Sequence, residues 1–260
     1  MSTGEETARM KTVLCLTAAA LALPFAASAQ IAGEAHSYTV GDREYEGYVA
    51  RQTTLDEPLG TVLIVHDWDG LTDYEMRRAD MLAAQGYTAF AIDVYGADED
   101  PQSVDENRAL SGALYEDREE FRARLMGSIE AARALDGTTD AMVLMGYCFG
   151  GAATLEAARG GADLAGFATF HAGLDLPEGQ DYAGVTAPVT LFHGSADPVS
   201  GMDAMAATLT AMQEAGVTHD ARIFGGARHS FTVWGSDDYV LEADRASWDG
   251  LMTFLEDTFR

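Results

Sequence analysis

The chain has 260 residues, of which 47% are hydrophobic and 22% charged, with a formal net charge of −26 at neutral pH. That is the composition of a globular chain with enough apolar material for one sizeable α/β core. So acidic a surface repels nucleic acid and anionic lipid, which argues against either as a partner.

The first stretch with a pattern is "MKTVLCLTAAALALPFAASAQ", beginning at Met10. One Lys, a short apolar run and "ASA" before Gln30 predict a cleaved secretory signal over residues 1–29, with Met10 as an alternative start. The mature protein is then expected from about Gln30, in the periplasm or outside the cell. The apolar run is too short for comfortable membrane anchoring. Lys11 is the only lysine of the chain, and it lies in this segment. Acidic residues are spread through the rest rather than gathered in a tail, as expected of a protein kept soluble in a salty medium.

From Ser37 onward, strand and helix patterns alternate. "SYTV" and "REYEGYVA" are joined by a short "GD" turn and predict an antiparallel hairpin. "TVLIVH", "TAFAID", "AMVLMG", "AGFATFH", "VTLFHG" and "ARIFGG" predict six further strands. Helical faces recur between them. Met76, Ala79 and Ala83 form one that Gly86 stops; Phe121, Leu125, Ile129 and Ala132 form another. Met202, Met205, Leu209 and Met212 follow, and Trp248, Leu251, Met252, Leu255 and Phe259 close the chain. All are expected to face the core. "GADEDPQS" is a polar loop after a strand, placed to rim a pocket. The expectation is one α/β domain over residues 30–260, a mostly parallel, doubly wound sheet with an antiparallel N-terminal edge hairpin.

Chemistry concentrates at "GYCFGG", Gly146 to Gly151. It joins a buried strand to a helix. A nucleophile on such a turn needs small neighbours, so that helix and strand approach closely, and the helix N-terminus favours a thiolate. This is a nucleophile elbow with Cys148 in the serine position. Without the signal segment Cys148 has no disulfide partner, so it is either inert packing or a used thiol. Asp197 follows the next strand but one, and His229 the strand after. That is the nucleophile–acid–base order of α/β-hydrolases. His229 is placed to take the thiol proton and Asp197 to orient the imidazole. Asp197 as a helix cap and His229 as a surface-loop residue are the alternatives. His66, His171 and His193 also end strands. No H-x-H or H-E-x-x-H spacing marks a metal site, so they are expected to shape the pocket or bond to nearby backbone.

These residues resemble the dienelactone hydrolase family of α/β-hydrolases over nearly the whole chain after the signal. The resemblance rests on "VLIVHDWDGLTDYEMRRADMLAAQGYTAFAIDVYG", "MGYCFGGAATLEAARGGADLAGFATFHAGL", "FHGSADPVS" and "GGARHSFTVWGSDDY". It implies the α/β-hydrolase fold, a Cys148–His229–Asp197 triad, and backbone oxyanion donors at Phe149 and Trp68. It places Asp67 where the family carries a carboxylate near the resting thiol, and Tyr95 and His171 at the pocket. Ala97 and Val233 stand where the family's dienelactone specialists carry substrate-binding arginines, and Asp69 where relatives often have an aromatic. The function expected is hydrolysis of a small ester, lactone or thioester through an acyl-cysteine, without cofactor or metal. A redox-active thiol and a catalytically silent binding protein are the rivals. The sequence says nothing of oligomeric state.

Overall fold

A computed structural model describes residues 30–260; the expected signal segment, including Met10 and Cys15, lies outside them. The described residues are built on one sheet. In chain order the elements are β1 (Ile31–Val40), β2 (Arg43–Gln52), β3 (Thr61–Val65), α1 (Asp73–Ala84), β4 (Thr88–Ile92), α2 (Val104–Glu116) and α3 (Arg118–Arg133). Then come β5 (Met142–Tyr147), α4 (Phe149–Arg159), β6 (Gly166–Phe170), β7 (Val189–Gly194), α5 (Met202–Glu214), β8 (His219–Phe224) and α6 (Leu241–Thr258).

The strands lie in the order β1-β2-β4-β3-β5-β6-β7-β8. β1 pairs antiparallel with β2 in the register Val40↔Arg43, so the "GD" turn is a tight hairpin, with Gly41 at φ 61°. β2 joins β4 antiparallel, and every later pairing is parallel. β1 begins at Ile31, well before "SYTV", because "AGEAHS" is largely solvent-facing and carries no hydrophobic alternation. Tyr38 anchors the hairpin to the body, donating to the Asp93 carbonyl at 2.6 Å.

The central strands β3, β4, β5 and β6 are wholly buried, as apolar runs in a parallel sheet must be. Alternate residues serve two cores. Leu63 and Val65 join Phe121, Leu125, Leu155 and Met205 on one face, beneath α3, α4 and α5. Val62 and Ile64 join Leu82, Leu251 and Leu255 on the other, beneath α1 and α6. Met205 and Met212 are buried as expected, but Met202 is exposed, because it is the first residue of its helix. The buried face of α1 also differs from the expected one. Met76 is only partly covered, whereas Glu75 and Arg78 are buried.

Candidate active site

The elbow is built by close contact. β5 runs through Tyr147 and α4 starts at Phe149, leaving Cys148 alone to reverse the chain at φ 51° and ψ −108°. Few non-glycine residues sit there without being held. Cys148 N–H donates to the Phe170 carbonyl at 3.0 Å, and its own carbonyl accepts from Ala152 N–H at 3.1 Å. A Cβ on Gly146 would lie 2.1 Å from the Gly150 oxygen, and one on Gly150 2.2 Å from the Val65 oxygen. Only glycine lets the helix come this near the strands.

Three loops at the carboxyl ends of β5, β7 and β8 converge, where open α/β sheets hold their ligands. His229 Nε2 lies 2.9 Å from Cys148 Sγ, and His229 Nδ1 lies 2.8 Å from Asp197 Oδ2. The other Asp197 oxygen accepts from Val199 N–H at 2.8 Å and Ser200 N–H at 3.0 Å. Burial alone would raise the Asp197 carboxyl. The His229 bond and these backbone donors instead hold it below its ordinary range, so it is an anion. Cys148 is partly exposed. Its thiol is pushed well up, first by desolvation and then by the Asp67 carboxylate, so the resting sulfur keeps its proton.

Asp67 thus acts on the thiol, although it is one methylene shorter than a glutamate. Its carboxyl is raised to about 6 by burial and by neighbouring Asp69. The same carboxylate accepts from Trp68 N–H at 2.5 Å. Of the two backbone donors expected to receive an oxyanion, Trp68 is therefore already engaged, while Phe149 N–H, first of α4, favours the thiolate. Tyr95 is buried behind this loop and donates to the Trp68 carbonyl at 2.9 Å.

The three other strand-end histidines part company. His66 Nδ1 lies 2.6 Å from the Asp67 carbonyl and His193 Nε2 lies 2.7 Å from that of Ser200, so both bond to nearby backbone as expected. His171 instead meets a side chain, with Nε2 at 2.8 Å from Thr232 Oγ1. The loop after β4 rims a groove of about 430 Å³ lined by Gly70, Leu71, Tyr95, Gly96, Ala97 and Asp100, among others.

Two site residues had not been foreseen. Tyr115, near the end of α2, packs its ring 5.5 Å from that of Phe149. Glu75 on α1 accepts from Asp67 N–H at 3.2 Å and from Thr72 N–H at 3.0 Å, supporting the Asp67–Trp68 loop from beneath. The serine-x-x-glutamate of "SVDE" was a legible helix start for α2, and "TDYE" one for α1.

The sheet order and the elbow together define the α/β-hydrolase fold. The model of the dienelactone hydrolase family matches residues 45–259, and the chain belongs to that family. It is 25% identical over 223 residues, 80% of this chain and 87% of the relative, to a Bradyrhizobium protein described as a probable 2-oxo-3-(5-oxofuran-2-ylidene)propanoate lactonase. Among solved structures it is similar to a dienelactone hydrolase-like promiscuous phosphotriesterase from metagenomic libraries. The TM-score is 0.82 at 27% identity, over 88% of this chain and 98% of that one. A solved protein designated m3DLH gives the same TM-score at 28% identity, over 88% of this chain and 99% of the other. The protein is a dienelactone hydrolase-like hydrolase.

Proposed function

We propose that this hydrolase cleaves small neutral esters, lactones or thioesters through an acyl-cysteine. The observation that carries this is the unbroken hydrogen-bonded line from Cys148 Sγ through His229 to Asp197, at 2.9 and 2.8 Å. Cys148 Sγ attacks the carbonyl carbon while its proton passes to His229 Nε2. Asp197 holds the imidazole in register and stabilises the cation formed. The tetrahedral oxyanion takes Phe149 N–H and, once the Asp67 carboxylate yields it, Trp68 N–H; each such donor lowers the barrier by about 3 kcal/mol. The C–O or C–S bond to the leaving group then breaks, and His229 protonates the departing atom. Water, deprotonated by His229, attacks the thioester, the C–Sγ bond breaks, and a carboxylic acid leaves with the thiol restored.

Small cyclic esters suit the resemblance to a probable lactonase. Ala97 and Val233 offer no cation. The arginines flanking their segments are engaged, Arg43 with Asp98 and Glu99, and Arg228 with Asp238. Exposed Asp69 adds negative charge beside the thiol loop.

The test is a panel of p-nitrophenyl esters and simple lactones, with and without prior iodoacetamide. Turnover abolished by alkylation of Cys148, with an acyl adduct on that residue by mass spectrometry of quenched enzyme, is the expected result. Full turnover by alkylated enzyme would overturn the reading.

A further inference from the structure

We propose that His171 is a positioning residue for His229, acting through the Thr232 hydroxyl; this rests on the reading of His229 as the base for Cys148. His171 directly follows β6 and is fully buried, yet it takes no part in the thiol–imidazole–carboxylate line. Its backbone is at φ 38°, a left-handed conformation that a residue with a Cβ adopts only when held. Its ring lies 5.3 Å from that of His229, at 60° to it. Nδ1 has no hydrogen-bond partner, so Nε2, at 2.8 Å from Thr232 Oγ1, is the single polar tie of the side chain. Burying an imidazole with one nitrogen unsatisfied costs stability. A residue whose task was only to fill space at this point would be better served by an aromatic hydrocarbon ring.

Thr232 is what makes the arrangement purposeful. It lies three residues after His229 in the same loop, and three side chains from outside that loop meet on it. Its hydroxyl is 2.7 Å from Tyr74 Oη of α1 as well as bonded to His171, just after β6. Its carbonyl accepts from Arg78 Nη2 at 2.9 Å, and Arg78 is paired with Asp244 of α6 at 2.5 Å. The Arg78 guanidinium also lies 4.2 Å from the centre of the Trp234 ring, further along the same loop. The loop carrying His229 is therefore fixed from α1 and α6 at one side. His171 is the strut on the other side, joining it to β6, the strand hydrogen-bonded to the elbow through Cys148 N–H and the Phe170 carbonyl. His229 has its second nitrogen on Asp197, which fixes its direction but not the height of its loop over the sulfur. Burial and the neighbouring His229 keep His171 well below the ordinary histidine range, hence neutral. It can stand edge-on to an imidazolium without opposing its charge.

The experiment uses His171→Gln, His171→Phe, Thr232→Val and the His171→Phe/Thr232→Val double variant, assayed on one accepted ester. Glutamine puts a nitrogen near the place of Nε2 and keeps the tie; phenylalanine keeps the ring and loses it. His171→Phe and Thr232→Val are each expected to lower kcat about tenfold with KM within about twofold, as a base displaced by a fraction of an ångström would. The double variant is expected to be no slower than the slower single one, because both remove the same bond. His171→Gln is expected to restore most of kcat. Wild-type kcat for His171→Phe, a Gln variant as slow as the Phe variant, or losses that multiply in the double variant would each overturn the proposal. If His171→Phe does not fold, as judged by its melting curve, the Thr232→Val and His171→Gln pair decides alone: slow Val with near-normal Gln supports it, and any other pairing overturns it. Cys148→Ala is the separate control; its retention of turnover would sink the acyl-cysteine reading instead.

Discussion

The Asp67 carboxyl and the Cys148 thiol act on each other in opposite directions at the elbow: burial and the Asp67 carboxylate push the thiol well above its ordinary value, while burial and Asp69 lift the carboxyl to about 6 against the opposing pull of the thiol. Near neutral pH Asp67 is largely an anion, and a neighbouring anion disfavours thiolate. Asp67→Asn removes that charge and leaves an oxygen to accept from Trp68 N–H. The thiol should become more acidic by about one pH unit, so iodoacetamide should alkylate Cys148 roughly tenfold faster at pH 7.5. The check is the alkylation rate against pH for both proteins. A variant that reacts at the wild-type rate or slower would show that Asp67 does not set the resting state of the sulfur.

Glu75 offers a second pH test, with the opposite kind of readout. It is fully buried, and desolvation raises its carboxyl to about 7 despite the donors around it. A raised carboxyl contributes stability that is complete below its unfolded value, near 4.5, and is lost as pH climbs through its folded value. Between pH 4.5 and 7 the loss amounts to about 3 kcal/mol, at roughly 1.4 kcal/mol per pH unit. Glu75→Gln cannot ionise. Its unfolding free energy relative to wild type should therefore rise with pH across that window and flatten above it. Denaturant titrations at pH 4.5, 5.5, 6.5 and 7.5 measure this. A constant difference would mean that Glu75 is ionised throughout.

The elbow was legible because "GYCFGG" carries its reason in its own letters: glycines where a Cβ would collide with neighbouring backbone, an apolar strand before, a helix after. Asp197 and His229 were legible because each follows a recognisable strand. α2 was marked only at its "SVDE" start, since its buried side is only Ser111 and Leu114 and shows no hydrophobic period; Tyr115, near its other end, was hidden with the rest of it. Glu75 and Arg78 were hidden for another reason. Charged residues on an amphipathic helix are expected outside. What draws Arg78 inward is Asp244, 166 residues away, and no local pattern announces such a partner. The pairing of His171 with Thr232 is of the same kind, across 61 residues.

Substrate charge should separate this protein from relatives that hold a carboxylate. With Ala97 and Val233 in place of cations, Arg228 paired to Asp238 and Asp69 exposed, an anionic lactone approaches like charge with nothing to receive it. Neutral short-chain lactones should show kcat/KM at least about tenfold above carboxylated analogues of the same ring size. Added NaCl should narrow the gap, because screening acts on the repulsion and not on the chemistry. Equal or higher efficiency on the carboxylated lactones at low salt would mean that one of the paired arginines releases its acid and serves the substrate.

The final prediction concerns the lone thiol of the described residues and the two groups in line with it. Cys148→Ala should abolish ester turnover and leave the fold intact, since the elbow glycines and both cores are untouched. Cys148→Ser should keep at most a trace: an alcohol is far harder to deprotonate, and His229 at 2.9 Å from the sulfur is placed for a longer, softer atom. His229→Ala should be nearly as severe as the cysteine change, because base and nucleophile act as one unit and their losses do not add. Asp197→Asn should cost less than either. It orients the imidazole and stabilises its cation, yet forms no bond to the substrate. A combined Cys148→Ala/His229→Ala variant should then be no slower than Cys148→Ala alone. The measurement is kcat on one accepted ester for all five variants, with circular dichroism to confirm folding. A folded Cys148→Ala protein that turns over at the wild-type rate would leave the thiol as packing, and the 2.9 Å contact with His229 as a structural hydrogen bond only.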